Sequence, residues 1–451
     1  MEEYIRIKKI IVSKTKRVLL QNTFLPLERG VIAGIYGRTG SGKSTLMRVI
    51  AGVKTAYTSG LEISILWEPA NLYRDFSNSI GFIEQCPRDN LITRRVNDEL
   101  FFSLQSTGLS EDECSEKLDD ISRLFNIRSL RERSAIELSE GEAQKIAIVE
   151  ALCRDCELLL LDEPTAYLDE QSKQAFVEVL RNLSIQKPNC RIILSSHDAQ
   201  LLSRVCNSVY EIRNQSIVKI DPHSLQRQNL ISTFDKIDMN ANKTVLSVRN
   251  LSFSYKSRKV LENINLDCKR GERVVIYGQN GVGKSTLLQL IAGLMKRYNG
   301  KIEIQSKDIR DLHDIWPEII YLAMQEPNEQ ILSETVQEEL ELNYLFWEQS
   351  FDPSLVVGST PLGNIFREWN ISLDDQTFTL SYGQKRVLSL VPIFFKKPKL
   401  LLLDEPFSGI DYELRQRLMN ILDSLSKEGT TICMTSHEHQ VWQISSKVFN
   451  L

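Results

Sequence analysis

No stretch of this sequence approaches the roughly 18 consecutive apolar residues that a membrane-spanning helix requires. Its most apolar runs, 158–161 and 400–403, are four leucines each, the length of a buried strand. An excess of positive charge is missing too. With 55 Lys and Arg against 59 Asp and Glu, the net charge is −4, which gives no whole-chain case for nucleic-acid binding. The N-terminus, Met1-Glu2-Glu3-Tyr4, lacks the positive start and apolar core of a signal peptide, which points to the cytosol. The eight cysteines are scattered, as expected where thiols stay reduced. Only Cys153 and Cys156 form a CxxC, and no second Cys or His pair accompanies them at metal-ligand spacing. They read as incidental helix and pre-strand residues rather than as a zinc or redox site.

What is present is a long repeat. The stretches Gly37-Arg38-Thr39-Gly40-Ser41-Gly42-Lys43-Ser44-Thr45 and Gly278-Gln279-Asn280-Gly281-Val282-Gly283-Lys284-Ser285-Thr286 are one phosphate-binding loop written twice, 241 positions apart. Gln85 is matched by Gln325, Ser139 by Ser381, Asp162-Glu163 by Asp404-Glu405 and His197 by His437, at offsets of 240 to 242. A period this long means two whole domains, not a solenoid. The first spans residues 1–220 and the second 244–451. The polar stretch 221–243, with Pro222 near its start, is expected to link them. Each loop follows an apolar strand (31–36 and 273–277) and precedes an apolar-periodic helix, the context that gives such a motif its meaning. The acidic, helical stretch 111–125 predicts an inserted helical subdomain.

The chemistry follows from the residue types. Glycines Gly37, Gly40 and Gly42, with Gly278, Gly281 and Gly283, let backbone N–H groups turn onto phosphate oxygens at a helix N-terminus. Lys43 and Lys284 are placed to reach the β- and γ-phosphates, while Ser44 and Ser285, each followed by a threonine (Thr45, Thr286), are placed on Mg²⁺. Asp162 and Asp404 end buried strands and are candidates for the same Mg²⁺ shell. Glu163 and Glu405 follow them and are candidates to orient or deprotonate an attacking water. A lone histidine at a strand end is more often structural, but Ser196-His197 recurs as Ser436-His437, which reverses that expectation.

This ordered set resembles the ABC-type ATPase over nearly all of both halves. The resemblance implies two tandem P-loop NTPase domains of α/β fold, each with a mainly parallel sheet core and an inserted helical subdomain. It implies ATP and Mg²⁺ as cofactors, with Gln85 and Gln325 touching the metal and the water. Leu138-Ser139-Glu140-Gly141-Glu142 and Leu380-Ser381-Tyr382-Gly383-Gln384 stand where the family has LSGGQ. Ser139, Gly141, Ser381 and Gly383 would then cap the γ-phosphate held by the opposite domain. Tyr255 matches the family's adenine-stacking aromatic, whereas Lys14 stands at the equivalent position of the first half. The other site faces Glu140 and Glu142. Each site therefore carries one departure, and both are expected to hydrolyse ATP at unequal rates.

The stretch 85–100 recurs as 325–340 and is similar to the QNPDDQ…TVEDEL stretch of energy-coupling factor ATPases. That resemblance implies uptake of a vitamin or transition-metal ion. The chain would sit on the cytoplasmic face of the membrane with a T component, and substrate would be bound by a separate S component rather than by this chain. Asp98, Glu99, Glu338 and Glu339 would either meet basic residues of that partner or solvate a helix start. Two rivals fit less well: a soluble ABC-F-like translation factor, because the linker here is short and carries no basic helix, and the ATPase of a sugar-type importer.

Overall fold

The computed structural model describes residues 3–13, 16–38, 40–53, 60–68, 79–84, 91–138, 140–154, 156–166, 168, 170–221, 243–255, 258–279, 281–311, 319–345, 351–357, 361–369, 371–395, 398–436, 441 and 445–451. Gln85, Ser139, His437, Lys14 and 222–242 of the expected linker lie outside the described residues. The chain divides into two compact units, Met1–Asn229 and Leu230–Leu451.

The first unit is built on a six-stranded sheet in the spatial order Ile80–Ile83, Leu158–Asp162, Arg191–Ser196, Ile32–Tyr36, Ser208–Arg213, Ser216–Ile220. All its pairings are parallel except the last. The run of four leucines is explained by what covers it. Leu159 and Leu161 enter the core beneath the helical subdomain, while Leu158 and Leu160 enter the core on the opposite face. Successive side chains of a strand point to opposite faces, so a strand covered on both sides must be apolar throughout. The second unit repeats this in a five-stranded, all-parallel sheet, with Leu400 and Leu402 in one core and Leu401 and Leu403 in the other.

Each unit also carries an antiparallel sheet that the sequence reading did not foresee as a layer. In the first, Tyr4–Val12 lies between Arg17–Pro26 and Leu61–Glu68. In the second, Thr244–Tyr255 lies between Arg258–Lys269 and Asn299–Ile304. Ile5, Ile7 and Ile10 face inward from the first of these sheets and share a core with Leu46, Met47 and Ile50 of the helix after the phosphate loop. The buried face of that helix is thereby pinned, and the loop before it is held at the strand's C-terminal edge. The expected helical insertion is present. Ser110 caps helix Glu111–Leu124 through a reciprocal capping box with Glu113, which satisfies two N-terminal backbone donors.

Candidate active site

Strand Ile32–Tyr36 ends at Gly37, and helix Lys43–Ile50 begins after Gly42, whose φ of +101° is open to glycine. In the second unit Gly283 has φ +108°, and a Cβ there would meet Val260 Cγ1 at 2.9 Å. The lysines that follow are buried and fold over their own loops. Lys43 Nζ donates to Gly37 O at 2.6 Å and Arg38 O at 3.3 Å, and Lys284 Nζ to Gly278 O at 2.8 Å and Gln279 O at 3.2 Å. Each lysine also faces the glutamate that follows the buried strand, Lys43 to Glu163 at 3.5 Å and Lys284 to Glu405 at 3.4 Å.

The carboxylates are held by hydroxyls from the neighbouring strand. Ser195 Oγ donates to Asp162 at 2.6 Å and accepts from the Glu163 N–H at 3.1 Å. Thr435 Oγ1 does the same for Asp404 and Glu405, at 2.6 and 2.8 Å. Ser44 is also hydrogen-bonded to Asp162, and Ser285 to Asp404. Burial lifts both Asp carboxyls above their ordinary range, although these hydroxyl bonds pull the other way. A serine hydroxyl and a carboxylate held together are hard oxygen donors, and the pair fits Mg²⁺ in both units.

Glu163 and Glu405 sit in the left-handed region, at φ 46° and 43°. Non-glycine residues held there cost energy and cluster at functional sites. Burial pushes the Glu163 carboxyl up. The charges of His197 and Lys43, with hydrogen bonds from His197, outweigh that and hold it at about 2. His197 Nδ1 lies 2.8 Å from Glu163 Oε2. Lys43, Ser44, Asp162, Glu163 and His197 are thus brought together in the first unit, and Lys284, Ser285, Asp404 and Glu405 in the second.

The second signature is a helix N-terminus. Ser381 Oγ accepts from Gln384 N–H while Gln384 Oε1 accepts from Ser381 N–H, and Gly383 lies in the first turn of Tyr382–Leu390. In the first unit Gly141 lies in helix Glu140–Cys153, and Glu142 is paired with Arg133 at 2.7 Å. That pairing offsets the charge of one of the two carboxylates that the sequence places beside Gly141. Tyr255 is half exposed. Its hydroxyl reaches Met295 Sδ at 3.6 Å and its ring packs edge-on against Phe253.

Two of the acidic candidates prove to be structural. Glu99 Oε2 accepts the N–H groups of Ile92 and Thr93, and Glu339 Oε2 those of Leu332 and Ser333. Both glutamates are buried, at 1% and 4% exposure, so neither faces a partner or solvates a helix start. Cys153 ends a helix and its thiol is pushed up to about 12 by burial, which suits an inert core residue.

The residue that sequence reasoning missed is Arg386. It is 1% exposed and its guanidinium donates to Met324 O at 2.5 Å, Gln325 O at 2.6 Å and Glu405 O at 3.3 Å. It ties the signature helix to the Gln325 segment and to the glutamate. The Tyr382 hydroxyl adds a bond to Gln325 O at 3.0 Å. The hydroxyls of Ser195 and Thr435 were also passed over. The signal was there: Ser195-Ser196-His197 recurs as Thr435-Ser436-His437.

The profile of the ABC transporter family matches residues 20–166 and again residues 261–408. The chain belongs to the ABC transporter family. A putative ABC transporter ATP-binding protein of Methanosarcina acetivorans is 29% identical, over 94% of this chain and 83% of its own length. A putative HMP/thiamine import ATP-binding protein, YkoD of Bacillus subtilis, is 24% identical, over 94% and 85%. Among solved structures, the archaeal ribosome recycling factor aABCE1, in complex with ribosomal stalk protein aP1, covers 98% of this chain and 87% of its own at 20% identity, with a TM-score of 0.62. That likeness shows the fold alone. The two units are ABC ATPase domains, and the family membership makes the chain an ATP-binding ATPase. Among the described residues, no helix is long and apolar enough to cross a membrane.

Proposed function

We propose that this ABC ATPase powers a membrane importer of the energy-coupling factor type, taking up a vitamin or a transition-metal ion. The observation that carries this reading is similarity along nearly the whole tandem chain to ATP-binding proteins of transporters, one of them named for HMP/thiamine import. The repeated segment 325–340 and its counterpart 85–100 support it through their resemblance to that importer class. The chain would rest on the cytoplasmic face of the membrane, bound to a T component, and an S component would bind the substrate.

Each site would hold ATP through the loop glycines and Lys43 or Lys284. Mg²⁺, when bound, would neutralise phosphate charge between Ser44 and Asp162, or Ser285 and Asp404, joined by Gln85 or Gln325. Glu163 and Glu405 would align the attacking water, with His197 and His437 beside the γ-phosphate. The water oxygen would bond to the γ-phosphorus, one of its protons passing by way of Glu163 or Glu405 to solvent, while the bond to the bridging oxygen breaks and ADP and hydrogen phosphate leave. Before that, the Lys43–Glu163 and Lys284–Glu405 pairs must open, because the lysine's charge is needed by phosphate. Ser381 and Gly383 would complete the first site, and Ser139 and Gly141 the second. Tyr255 would stack on adenine in the second site alone.

Fractionation of cells expressing the tagged chain tests the proposal. It should sediment with membranes and be extracted with small hydrophobic partners, and the molecule released from that complex should be identifiable by mass spectrometry. Sedimentation with ribosomes instead would overturn the importer reading.

A further inference from the structure

Cys156 and Cys190 stand at the entrance to two neighbouring central strands of the first unit. Cys156 precedes Leu158–Asp162, and Cys190 precedes Arg191–Ser196. These strands run parallel with Leu158 opposite Arg191, and the Arg191 N–H donates to Glu157 O at 2.8 Å. Adjacent strands lie about 5 Å apart, inside the Cα separation of about 4.4–6.8 Å that a disulfide spans. Both thiols are reduced, and they are in hydrogen-bonding contact with each other. The CxxC spacing thus named the wrong neighbour. The thiol that meets Cys156 comes not from Cys153 but from the turn before the next strand.

The surroundings set this pair apart from the other thiols. The hydrogen bond from Cys156 holds the Cys190 thiol below its ordinary range, helped by the charges of Lys187 and Arg191, although burial and Glu157 act the other way. Burial pushes Cys153 and Cys206 up to about 12. Cys268 also meets a thiol, that of Cys433, but there the hydrogen bond and burial both raise it. A thiolate is the reactive form, so of these four Cys190 is the one poised to react. Its cover is thin. Cys156 and Cys190 are 3% and 4% exposed, but Glu157, Pro188 and Asn189 beside them are exposed. Cys190 closes a single surface turn through its N–H on Lys187 O at 3.0 Å, and such turns open locally at far less cost than a core strand.

We propose that Cys156 and Cys190 are a reversible disulfide site, oxidised by hydrogen peroxide. The Cys190 thiolate attacks one peroxide oxygen and the O–O bond breaks. Cys190 becomes a sulfenic acid, and the displaced hydroxide takes a proton to leave as water. The Cys156 sulfur then attacks the Cys190 sulfur, and its proton leaves with the hydroxyl as a second water. Two thiols lose two electrons and one peroxide gains them. A small thiol reverses the bond by exchange. The bond joins the strand ends opposite the edge that carries Asp162 and His197, so it staples the base of the catalytic sheet without entering the ATP site. The site is independent of the importer reading.

The test treats the folded full chain with hydrogen peroxide, blocks the remaining thiols by alkylation, and maps the peptides by mass spectrometry. A Cys156–Cys190 cross-link should form, disappear with dithiothreitol, and appear at least about tenfold faster than oxidation at Cys153 or Cys268. In Cys156→Ser the sulfenic acid should persist at Cys190 and be trapped by dimedone. In Cys190→Ser, Cys156 should stay reduced. Unaltered circular dichroism would show that both variants are folded, and the wild-type cross-link decides the matter without them. Absence of the cross-link in the folded chain, or its appearance only in urea, would overturn the proposal. So would oxidation at Cys268 and Cys433 at an equal rate, which would mark an unselective attack on core thiols.

Discussion

Replacing Arg386 with methionine removes a buried guanidinium while keeping an unbranched stem of similar reach. Of its three carbonyl partners, Gln325 O keeps the Tyr382 hydroxyl and Glu405 O keeps the Ser408 N–H at 3.1 Å. Among the described residues, no other donor reaches Met324 O. One orphaned buried carbonyl costs about 1–3 kcal/mol. The lost charge-assisted bonds are offset in part, because a buried guanidinium that meets no carboxylate among the described residues is itself costly to desolvate. The net expectation is a loss of about 2 kcal/mol from the second unit, roughly thirtyfold in its folding equilibrium. Urea unfolding followed by tryptophan fluorescence reads this well. Trp316, Trp347, Trp369 and Trp442 lie in the second unit and only Trp67 in the first. The second unit's midpoint should fall without a change in slope, and ATP hydrolysis should fall with it, since Arg386 holds the carbonyls of Met324, Gln325 and Glu405. An unfolding free energy within about 0.3 kcal/mol of wild type, with unchanged hydrolysis, would refute the bracing role.

Gly283→Ala places a Cβ 2.9 Å from Val260 Cγ1 at φ +108°, so nucleotide titration should fall from two bound ATP to one; two would show that the loop tolerates the change. Asp423→Asn should cost about 2 kcal/mol near neutral pH, because Asp423 pairs the buried Arg273. Burial raises the Asp423 carboxyl, but bonds from Lys427 and Arg273 outweigh it and hold it below the ordinary range. Its contribution is therefore present above the unfolded value of about 4 and lost as pH falls through the folded value. Denaturation curves of wild type and variant should converge in acid, and a gap persisting there would contradict the pairing.

The parallel cores were legible because burial on both faces leaves an unmistakable trace, as in 158–161 and 400–403. The phosphate loops and the Asp-Glu pairs were legible because their chemistry needs fixed residue types at fixed spacing. Arg386 was not, since it bonds to backbone carbonyls, which every residue carries and no motif records. Glu99 and Glu339 were misread for a related reason. A carboxylate in the first turn of a helix is ordinarily solvated, and only the fold-back of the preceding loop shows that these two are enclosed. The left-handed backbone of Glu163 and Glu405 left no glycine to announce it.

Phosphate release by the full chain, compared among wild type, Glu163→Gln, Glu405→Gln and the double variant, tests the central claim of two working ATP sites most directly. Each single change should slow hydrolysis, by unequal amounts, and the double variant should fall by about 100-fold or more. Complete loss from one change with the other silent would contradict it.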